Sequence, residues 1–331
     1  MPELPEVQTV VADLNEKIKG DTIVDFWSGW PKAIKGKSLA LFTKEIAGRK
    51  ILGARRIGKN IFIDLSGGKT LYLHLKMTGH LLVKVQNPND KFQSKSKIQN
   101  PKSKTEDYFE DRVNQYIRHK FYLKTDAKLR NIDESTNKKK MVAKNFVDSD
   151  SSVCSHQNDK VMEFSDMRKF AKIMLVNTED IREIPEIKAL GTDAMSGELT
   201  LQKFNGILDR KKNTPIGILL MDQSLIAGIG NIYRSEILFE AGILPTRKAA
   251  DIAREERKKL FRSIGKILRK AVKLRGTSDS DYRDTSGAPG GYQKVLQVYR
   301  KAGEKCQRCD TIIKRAVLGQ RSVFYCPDCQ K

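Results

Sequence analysis

The chain has 331 residues and carries 62 lysines and arginines against 40 aspartates and glutamates, a formal net charge of +22. This excess of positive charge favours a polyanionic partner, above all nucleic acid, because side chains that neutralise phosphates release counterions. The sequence has no apolar run long enough to span a bilayer, and its first ten residues lack the basic and apolar regions of a secretory signal. We therefore expect a cytoplasmic protein without a membrane partner.

The N-terminal part is predicted to form one helix followed by a β-rich domain. Apolar residues recur at spacings of three and four over residues 3–19, which indicates an amphipathic helix with Pro5 in its first turn, where proline is tolerated. Shorter patterns follow from residue 22 to 85, with strands predicted at 60–65 and 70–75 around a Ser-Gly-Gly turn. At about 150 residues per domain, the chain has room for two domains and a small appendage.

The stretch from residue 86 to 160 is rich in lysine, serine and asparagine. Such tracts lack the apolar content that folding requires. We interpret them as two flexible insertions that flank one strand at 116–124. β character resumes at 161–176.

The chain beyond residue 197 changes to helical periodicity, with helices predicted at 199–208, 216–221, 232–241 and 252–274. A glycine-containing turn at 222–231 separates two of them, which predicts a helix–two-turn–helix with Asn231 as the N-cap. Backbone N–H groups at a helix start suit a phosphate, and Lys211, Lys212 and Arg234 flank this one. A packing role explains the glycines equally well. We predict domains at 1–189, 197–292 and 295–331.

Four of the five cysteines lie in the last 26 residues, in the pattern C-x2-C-x16-C-x2-C. Two C-x-x-C pairs at this spacing are typical of a zinc ribbon, whereas a redox-active pair is the alternative. Four thiolates close a tetrahedral coordination sphere, so we expect one structural Zn²⁺. Its predicted ligands are Cys306, Cys309, Cys326 and Cys329. Cys154 stands apart.

Four segments carry a family resemblance: PELPEV at the start, HLKMTG at 74–79, DQSLIAGIGNIYRSEILFEAGILP at 222–245 and the ribbon ending GQRSVFYCPDCQ. In this order they resemble the bacterial formamidopyrimidine-DNA glycosylases. The resemblance implies an α+β fold: an N-terminal β-sandwich domain with a catalytic N-terminal helix, a helix–two-turn–helix domain and a zinc ribbon. It further implies a nucleoid-associated monomer that repairs double-stranded DNA, removing oxidised purines and cleaving the abasic strand by β,δ-elimination.

The N-terminal residues carry the predicted chemistry. Removal of Met1 exposes the secondary amine of Pro2, and an α-amino group with a pKa of about 8 is partly neutral at physiological pH. Such an amine is a nucleophile that can attack the sugar C1′, expel the base and form an iminium. On the resemblance, Glu3 is the general acid/base, Glu6 supports the site and Lys59 contacts the phosphate beside the lesion. Alternatively, both glutamates only complement the helix dipole.

The resemblance also assigns residues that replace an extruded base. An enzyme that acts on a base within a duplex must extrude it, and an apolar wedge can fill the gap. Met77 of HLKMTG has this role in the family, together with an arginine and a phenylalanine that correspond to Arg168 and Phe170. Their segment, DMRKF, differs from the family's D-P-R-R-F at Met167 and Lys169. Arg168 is further expected to contact the unpaired cytosine, and Lys169 is grouped with these DNA-binding residues.

The remaining DNA-binding residues are expected to contact phosphates: His74, Asn231 and Arg321. The run from 275 to 292 resembles the mobile loop that covers an extruded oxidised purine. Two positions depart from the family: Gly217 stands where lysine is frequent, and Lys76 stands where glycine is usual. Both bear on lesion preference.

Two other functions remain open. An endonuclease VIII-like enzyme would favour oxidised pyrimidines, but that branch usually begins PEGPE, and here Leu4 and the glycine-rich covering loop oppose it. A catalytically silent zinc-containing DNA-binding protein would keep the ribbon and the helical turn. The presence of Pro2, Glu3 and Lys59 argues against silence.

Overall fold

The computed structural model of the chain describes residues 2–85, 108–125, 160–279 and 281–331. The insertions predicted within 86–160 fall on 86–107 and 126–159, outside the described residues, as do Met1 and Cys154. In the part of the chain that is described, no helix combines the length and the apolar character that crossing a membrane requires.

The N-terminal part is a β-sandwich of two four-stranded antiparallel sheets. One sheet has the order β1-β6-β7-β5, formed by Thr22–Ser28 (β1), His80–Val85 (β5), Ile117–Lys124 (β6) and Lys160–Ser165 (β7). The other has the order β2-β3-β4-β8, formed by Ile51–Ile57 (β2), Asn60–Leu65 (β3), Lys69–His74 (β4) and Lys172–Asn177 (β8). The strands predicted at 60–65, 70–75 and 116–124 are confirmed to within one residue at either end.

Alternating side chains from both sheets form the core of the sandwich, and Phe26, Leu71, Phe121 and Phe164 are examples of its fully or nearly fully buried members. Such alternation places every second residue of a strand on the inner face. A helix, Leu39–Ile46 (α2), also packs into this core with Phe42 and Ile46. Its N-cap Ser38 accepts a hydrogen bond from the Leu41 N–H. The segment 178–188 covers the outer face of the second sheet.

The N-terminal helix, Leu4–Lys17 (α1), connects the sandwich to the helical part. Val7, Val10 and Leu14 pack into the sandwich core, whereas Leu4 packs into the helical core. The helix predicted over 3–19 is thus confirmed, with Glu3 as its N-cap. Its first turn is fixed between two cores.

The helical part contains Pro185–Lys188 (α3), Leu201–Arg210 (α4), Ile216–Leu219 (α5), Asn231–Ala241 (α6) and Arg254–Lys273 (α7). Two short parallel strands, Thr192–Asp193 (β9) and Ile226–Ala227 (β10), pair beside the turn between α5 and α6. Short 3-10 helices occur at Pro31–Ala33, Tyr108–Glu110, Arg112–Gln115, Thr178–Glu183, Ala249–Asp251 and Tyr292–Val295.

Two predictions for the helical turn are wrong. The N-cap of α6 is Gly230, and Asn231 is the first helical residue. Gly230 leaves room for a carboxylate from α1 to take over the capping. Arg234, which was expected to flank a phosphate, is only 1% exposed and bonds to protein oxygens instead.

The C-terminal ribbon is a hairpin of Lys314–Leu318 (β11) and Arg321–Tyr325 (β12) between the two cysteine pairs. Ile313, Phe324 and two of the cysteines pack into the same core as the helices. The α+β fold with a sandwich, a helix–two-turn–helix and a ribbon is therefore confirmed. The limits of the three predicted domains stay predictions.

Candidate active site

A cavity of about 260 Å³ opens where the sandwich, the helical part and the ribbon meet. Five predicted site residues line it: Glu3, Lys59, Met77, Asn231 and Arg321. Sequence reasoning did not single out the other lining residues, which are Met221, Gln223, Gly230, Ile232, Thr277, Asp279, Tyr282 and Tyr299. Pro2 directly precedes Glu3 and is buried, but it is not among the lining residues.

The carboxylate of Glu3 caps helix α6. It accepts hydrogen bonds from the N–H groups of Gly230 (2.8 Å) and Ile232 (2.9 Å), while the N–H of Leu4 donates to the Gly228 oxygen (3.1 Å). A negative charge at this place is stabilised by the unpaired N–H groups of the first helical turn. The N-terminus of α1 is thereby fixed against the helix–two-turn–helix.

Glu6 lies behind the cavity wall and is 1% exposed. Its carboxylate accepts hydrogen bonds from the N–H of Glu3 (2.7 Å), the N–H of Thr277 (2.7 Å) and the hydroxyl of Tyr233. Burial, and secondarily the negative charge of Glu3, raise the pKa of Glu6 to about 7. Glu6 can therefore exchange a proton near neutral pH, and it connects α1 to the segment that starts at Thr277.

Lys59 follows Gly58 in the turn between β2 and β3 and is 8% exposed. Its Nζ donates to the backbone oxygen of Ile229 (3.1 Å). Burial lowers the pKa of Lys59, and the negative charges of Glu3 and Glu6 oppose this shift. A cationic amine is thus placed in the same cavity as the Glu3 carboxylate.

Met77 and Phe170 are exposed, at 42% and 58%, so neither belongs to the core. Their two loops are joined by Thr78, whose hydroxyl donates to Asp166 and accepts from the Arg168 N–H. The Arg168 guanidinium also contacts the Met77 sulfur at 3.5 Å. The two loops thus hold Met77, Arg168 and Phe170 at the surface, where a partner can reach them.

Lys76 stands where the family usually has glycine, and its backbone has the conformation that favours glycine. It has φ +54°, a left-handed conformation in which glycine is free of steric cost. Its N–H donates to Nδ1 of His74, which ends β4, and burial lowers the pKa of His74 to about 4. His74 is therefore neutral at physiological pH and can offer a phosphate a neutral N–H.

Lys169 is exposed and places its ammonium over the ring of Trp30, 4.5 Å from the ring centre. This cation–π contact connects the loop of Arg168 to the segment after β1. Trp30 was not predicted, because its partner is distant in the sequence. His74, Arg168, Lys169 and Phe170 do not line the cavity.

The segment expected to cover an extruded base begins at Arg275. The Arg275 guanidinium donates to Asp13 of α1 (2.6 Å) and to Asp284 in the middle of the segment (2.7 Å), so these contacts join the start of the segment to both α1 and its own middle. Thr277, Asp279 and Tyr282 then line the cavity. The family resemblance pointed to this run as the covering segment, whereas the choice of these three residues as the ones that line the cavity depends on contacts that no local sequence pattern reveals.

The four ribbon cysteines bring their sulfur atoms within 4.8 Å of one another, and none of them forms a disulfide. In each pair a backbone N–H points to the first sulfur: Arg308 to Cys306 (3.4 Å) and Cys329 to Cys326 (3.5 Å). Such a thiolate set fits a tetrahedral zinc ion with Zn–S distances of about 2.3 Å.

Three family models match the chain. The formamidopyrimidine-DNA glycosylase N-terminal domain matches residues 1–173, the H2TH domain of the same family matches 190–282, and the zinc finger found in FPG and IleRS matches 303–331. The zinc-finger match and the four-cysteine cluster together identify one structural zinc ion.

Full-length relatives agree with these matches. A formamidopyrimidine-DNA glycosylase of Carboxydothermus hydrogenoformans is 34% identical and is covered along the whole of both chains. Two solved structures, each covered completely with a TM-score of 0.75, are Lactococcus lactis Fpg with an abasic-site DNA (26% identical) and an L. lactis variant with a Fapy-dG DNA (27% identical). The chain belongs to the formamidopyrimidine-DNA glycosylase family.

Proposed function

We propose that the chain is a base-excision repair enzyme, a DNA glycosylase with abasic-site lyase activity, that acts as a monomer on double-stranded DNA and removes oxidised purines. One observation carries this proposal: Glu3, next to the nucleophile Pro2, shares a cavity with Lys59, Asn231 and Arg321. The carboxylate of Glu3 and the amine of Lys59, together with the two proposed phosphate ligands Asn231 and Arg321, thus surround a space suited to one extruded base.

The nucleophile is the amine of Pro2 once Met1 is removed. Its lone pair attacks C1′ of the damaged nucleotide, and the electron pair of the C1′–N bond leaves with the base. Loss of the amine proton and opening of the C1′–O4′ bond then give an iminium. The iminium makes the neighbouring C2′–H acidic, so loss of that proton expels the 3′-phosphate, and a second elimination expels the 5′-phosphate.

Proton transfers in these steps are assigned to Glu3, with Glu6 in support. The Glu3 carboxylate takes the proton that the Pro2 amine releases and passes it to the ring oxygen as the sugar opens, because Glu3 directly follows Pro2 in the chain and lines the cavity. Glu6 does not line the cavity. It accepts a hydrogen bond from the Glu3 N–H, which keeps the first turn of α1 in place. Lys59 contributes a positive charge toward the phosphate beside the lesion.

DNA is held by phosphate ligands on both sides of the cavity. Asn231 and Arg321 bind the phosphates of the extruded nucleotide, and His74 binds a neighbouring phosphate. Met77 and Phe170 fill the space that the base vacates, which fits their exposure. Arg168 donates hydrogen bonds to the unpaired cytosine, and Lys169 remains with this group. The zinc ion supplies no chemistry, since four thiolates leave it no open position.

Borohydride trapping tests the chemistry directly. We expect a covalent enzyme–DNA adduct on the N-terminal peptide when a duplex with oxidised guanine is used, in protein whose intact mass shows that Met1 is absent. Lys59→Arg is the matched control: it keeps the charge but has no amine that can form an iminium, so its adduct should persist. An adduct on an internal lysine would contradict the role of Pro2, and no adduct at all would favour a silent DNA-binding protein.

Lesion preference needs its own comparison. Single-turnover excision should be faster on a formamidopyrimidine or oxidised guanine opposite cytosine than on an oxidised pyrimidine in the same sequence. The reverse order would favour the endonuclease VIII-like alternative. Since Asp279 and Tyr282 line the cavity, they are the first positions to vary if the order is reversed.

A further inference from the structure

A buried arginine joins Asn231 to Ser322, the residue that follows Arg321, and so connects the neighbourhoods of the two proposed phosphate ligands. Arg234 lies on α6, and its Nη2 donates to Oδ1 of Asn231 (2.6 Å) and to the backbone oxygen of Ser322 (3.1 Å). Its Nη1 donates to the backbone oxygen of Gly217 (3.0 Å). One guanidinium therefore contacts α6, β12 and α5 at once.

These contacts bear on the orientation of both phosphate ligands. Since Arg234 can only donate, the oxygen of the Asn231 amide must face it, and the amide N–H groups point away from it; Asn231 is also hydrogen-bonded with Tyr299, which leaves the other N–H to donate to a phosphate. A phosphate accepts hydrogen bonds, so this is the orientation it requires. Ser322 directly follows Arg321, and the bond to its carbonyl fixes the start of β12 against the helix that carries Asn231.

Stability alone does not account for a guanidinium here. Among the described residues Arg234 has no carboxylate within ion-pair distance, and its Nε makes no hydrogen bond. Burial lowers the pKa of Arg234 to about 10, which still leaves it charged at neutral pH. The Glu3 carboxylate attracts this charge from beyond ion-pair distance, but a buried charge without an ion-pair partner is still costly, and an apolar side chain is frequently at least as stable in such a place.

We infer that Arg234 is a positioning residue for DNA binding. It holds Asn231 and the strand of Arg321 in the arrangement in which both contact the phosphates of one extruded nucleotide. This inference rests on the proposed function. Arg234 is too buried to touch DNA, and it acts through its planar fork, which a lysine of equal charge cannot reproduce.

The test compares two substitutions, Arg234→Lys and Arg234→Met. Both should weaken binding to a duplex with a reduced abasic site by about tenfold, the effect of losing a hydrogen bond to a charged group. The single-turnover excision rate at saturating enzyme should change less than about threefold, since the catalytic groups do not contact Arg234. One zinc per chain should be retained.

Arg247→Lys is the matched control. The Arg247 guanidinium also joins the helical part to the end of the chain, donating to Glu256 (2.6 Å) and to the backbone oxygen of Lys331 (3.0 Å). Its side-chain hydrogen bonds go to Glu256, Lys331 and Asp251 and to neither Asn231 nor β12, so its replacement should leave DNA affinity unchanged.

A double-mutant cycle separates positioning from a general effect. Asn231→Ala should weaken binding strongly in the wild type and much less in the Arg234→Lys background, because Asn231 is already misplaced there. Losses that multiply, wild-type affinity in Arg234→Lys, or loss of zinc from that variant would each overturn the inference. Failure of the proposed function is distinguished from failure of this inference by the wild-type protein, which would then not excise a damaged base.

Discussion

The carboxylate of Glu3 caps helix α6 at Gly230, a residue 227 positions further along the chain. This contact places the end of α1 that carries the proposed nucleophile at the start of the helix that also carries Asn231. The backbone of Gly230 approaches so closely that an added Cβ would lie 2.3 Å from the Glu3 carboxyl carbon. Glycine is therefore required here by proximity rather than by backbone conformation.

Gly230→Ala should displace Glu3 and slow excision. We expect the single-turnover rate to fall by at least about a hundredfold, the contribution typical of a positioned general acid. Loss of the cap should also cost about 1 kcal/mol of stability. Gly197→Ala is the control, since a Cβ there meets nothing within 4 Å. Excision by Gly230→Ala at the wild-type rate would remove Glu3 from the mechanism.

The raised pKa of Glu6 predicts a pH-dependent stability. The pKa of Glu6 is about 7 in the folded chain, against 4.5 ordinarily. Its tighter proton binding in the folded state therefore contributes to the free energy of unfolding in full only below pH 4.5. As pH rises toward 7 the unfolded chain loses this proton first, so the wild type should lose stability relative to Glu6→Gln. The loss should be on the order of 3 kcal/mol.

Urea unfolding of both proteins at several pH values between 4.5 and 7.5 measures this difference. The pH dependence of the Glu6→Gln variant contains the contributions of all other titrating groups, so only the difference between the two proteins is attributed to Glu6. A difference that stays constant, or that changes in favour of the wild type as pH rises, would show that Glu6 is not held protonated in the fold.

Local periodicity was sufficient to predict β6 and α1, because each has one face that must be buried. β3 is buried on both faces, and it was predictable as a short apolar run that ends at the Ser-Gly-Gly turn. The zinc ligands were predictable because their spacing is set by the metal itself. The cap of α6 was mispredicted as Asn231, since the sequence around a helix start cannot show that a distant carboxylate occupies its N–H groups.

Arg234 shows the same limit for charged residues. A basic side chain beside a glycine turn resembles a phosphate ligand, yet its neighbours from α5 and β12 bury it. Trp30 was likewise invisible, because its partner Lys169 lies on another loop. The sequence thus predicts which residues carry the chemistry better than it predicts which residues hold them in place.

Zinc removal should separate ribbon-dependent binding from the rest of the site. Four thiolates hold the knuckles together, so chelation should unfold the ribbon and release Arg321 from the cavity. DNA affinity should fall, and the salt dependence of binding should weaken by about one phosphate contact. Elemental analysis and binding at several salt concentrations measure both effects.

Two cysteine variants provide the comparison. Cys309→Ser should lose zinc and DNA affinity together, whereas Cys154→Ser should keep one zinc per chain and normal binding. DNA binding that survives chelation unchanged would mean that the ribbon does not contribute Arg321.

If Met77 and Phe170 fill the space of the extruded base, replacing either of them should reduce excision without removing phosphate contacts. Replacing either with alanine should leave the salt dependence of binding nearly unchanged, because the proposed phosphate ligands are other residues. Excision should slow sharply, since the gap left by the extruded base is no longer filled. Leu52→Ala, at a residue 53% exposed and outside both loops, is the matched control and should excise normally.

Arg168→Ala extends this prediction to the opposite strand. It should also reduce the preference for cytosine over adenine opposite the lesion, because a good base contact contributes about 1–3 kcal/mol of discrimination. The lyase step on a pre-formed abasic site should suffer less in all three variants, since little extrusion is needed there. Single-turnover excision and lyase rates on duplexes with C or A opposite the lesion provide the measurement. Equal losses in both rates, with an unaltered C-over-A ratio, would exclude Met77, Arg168 and Phe170 from base extrusion and leave their exposure unexplained.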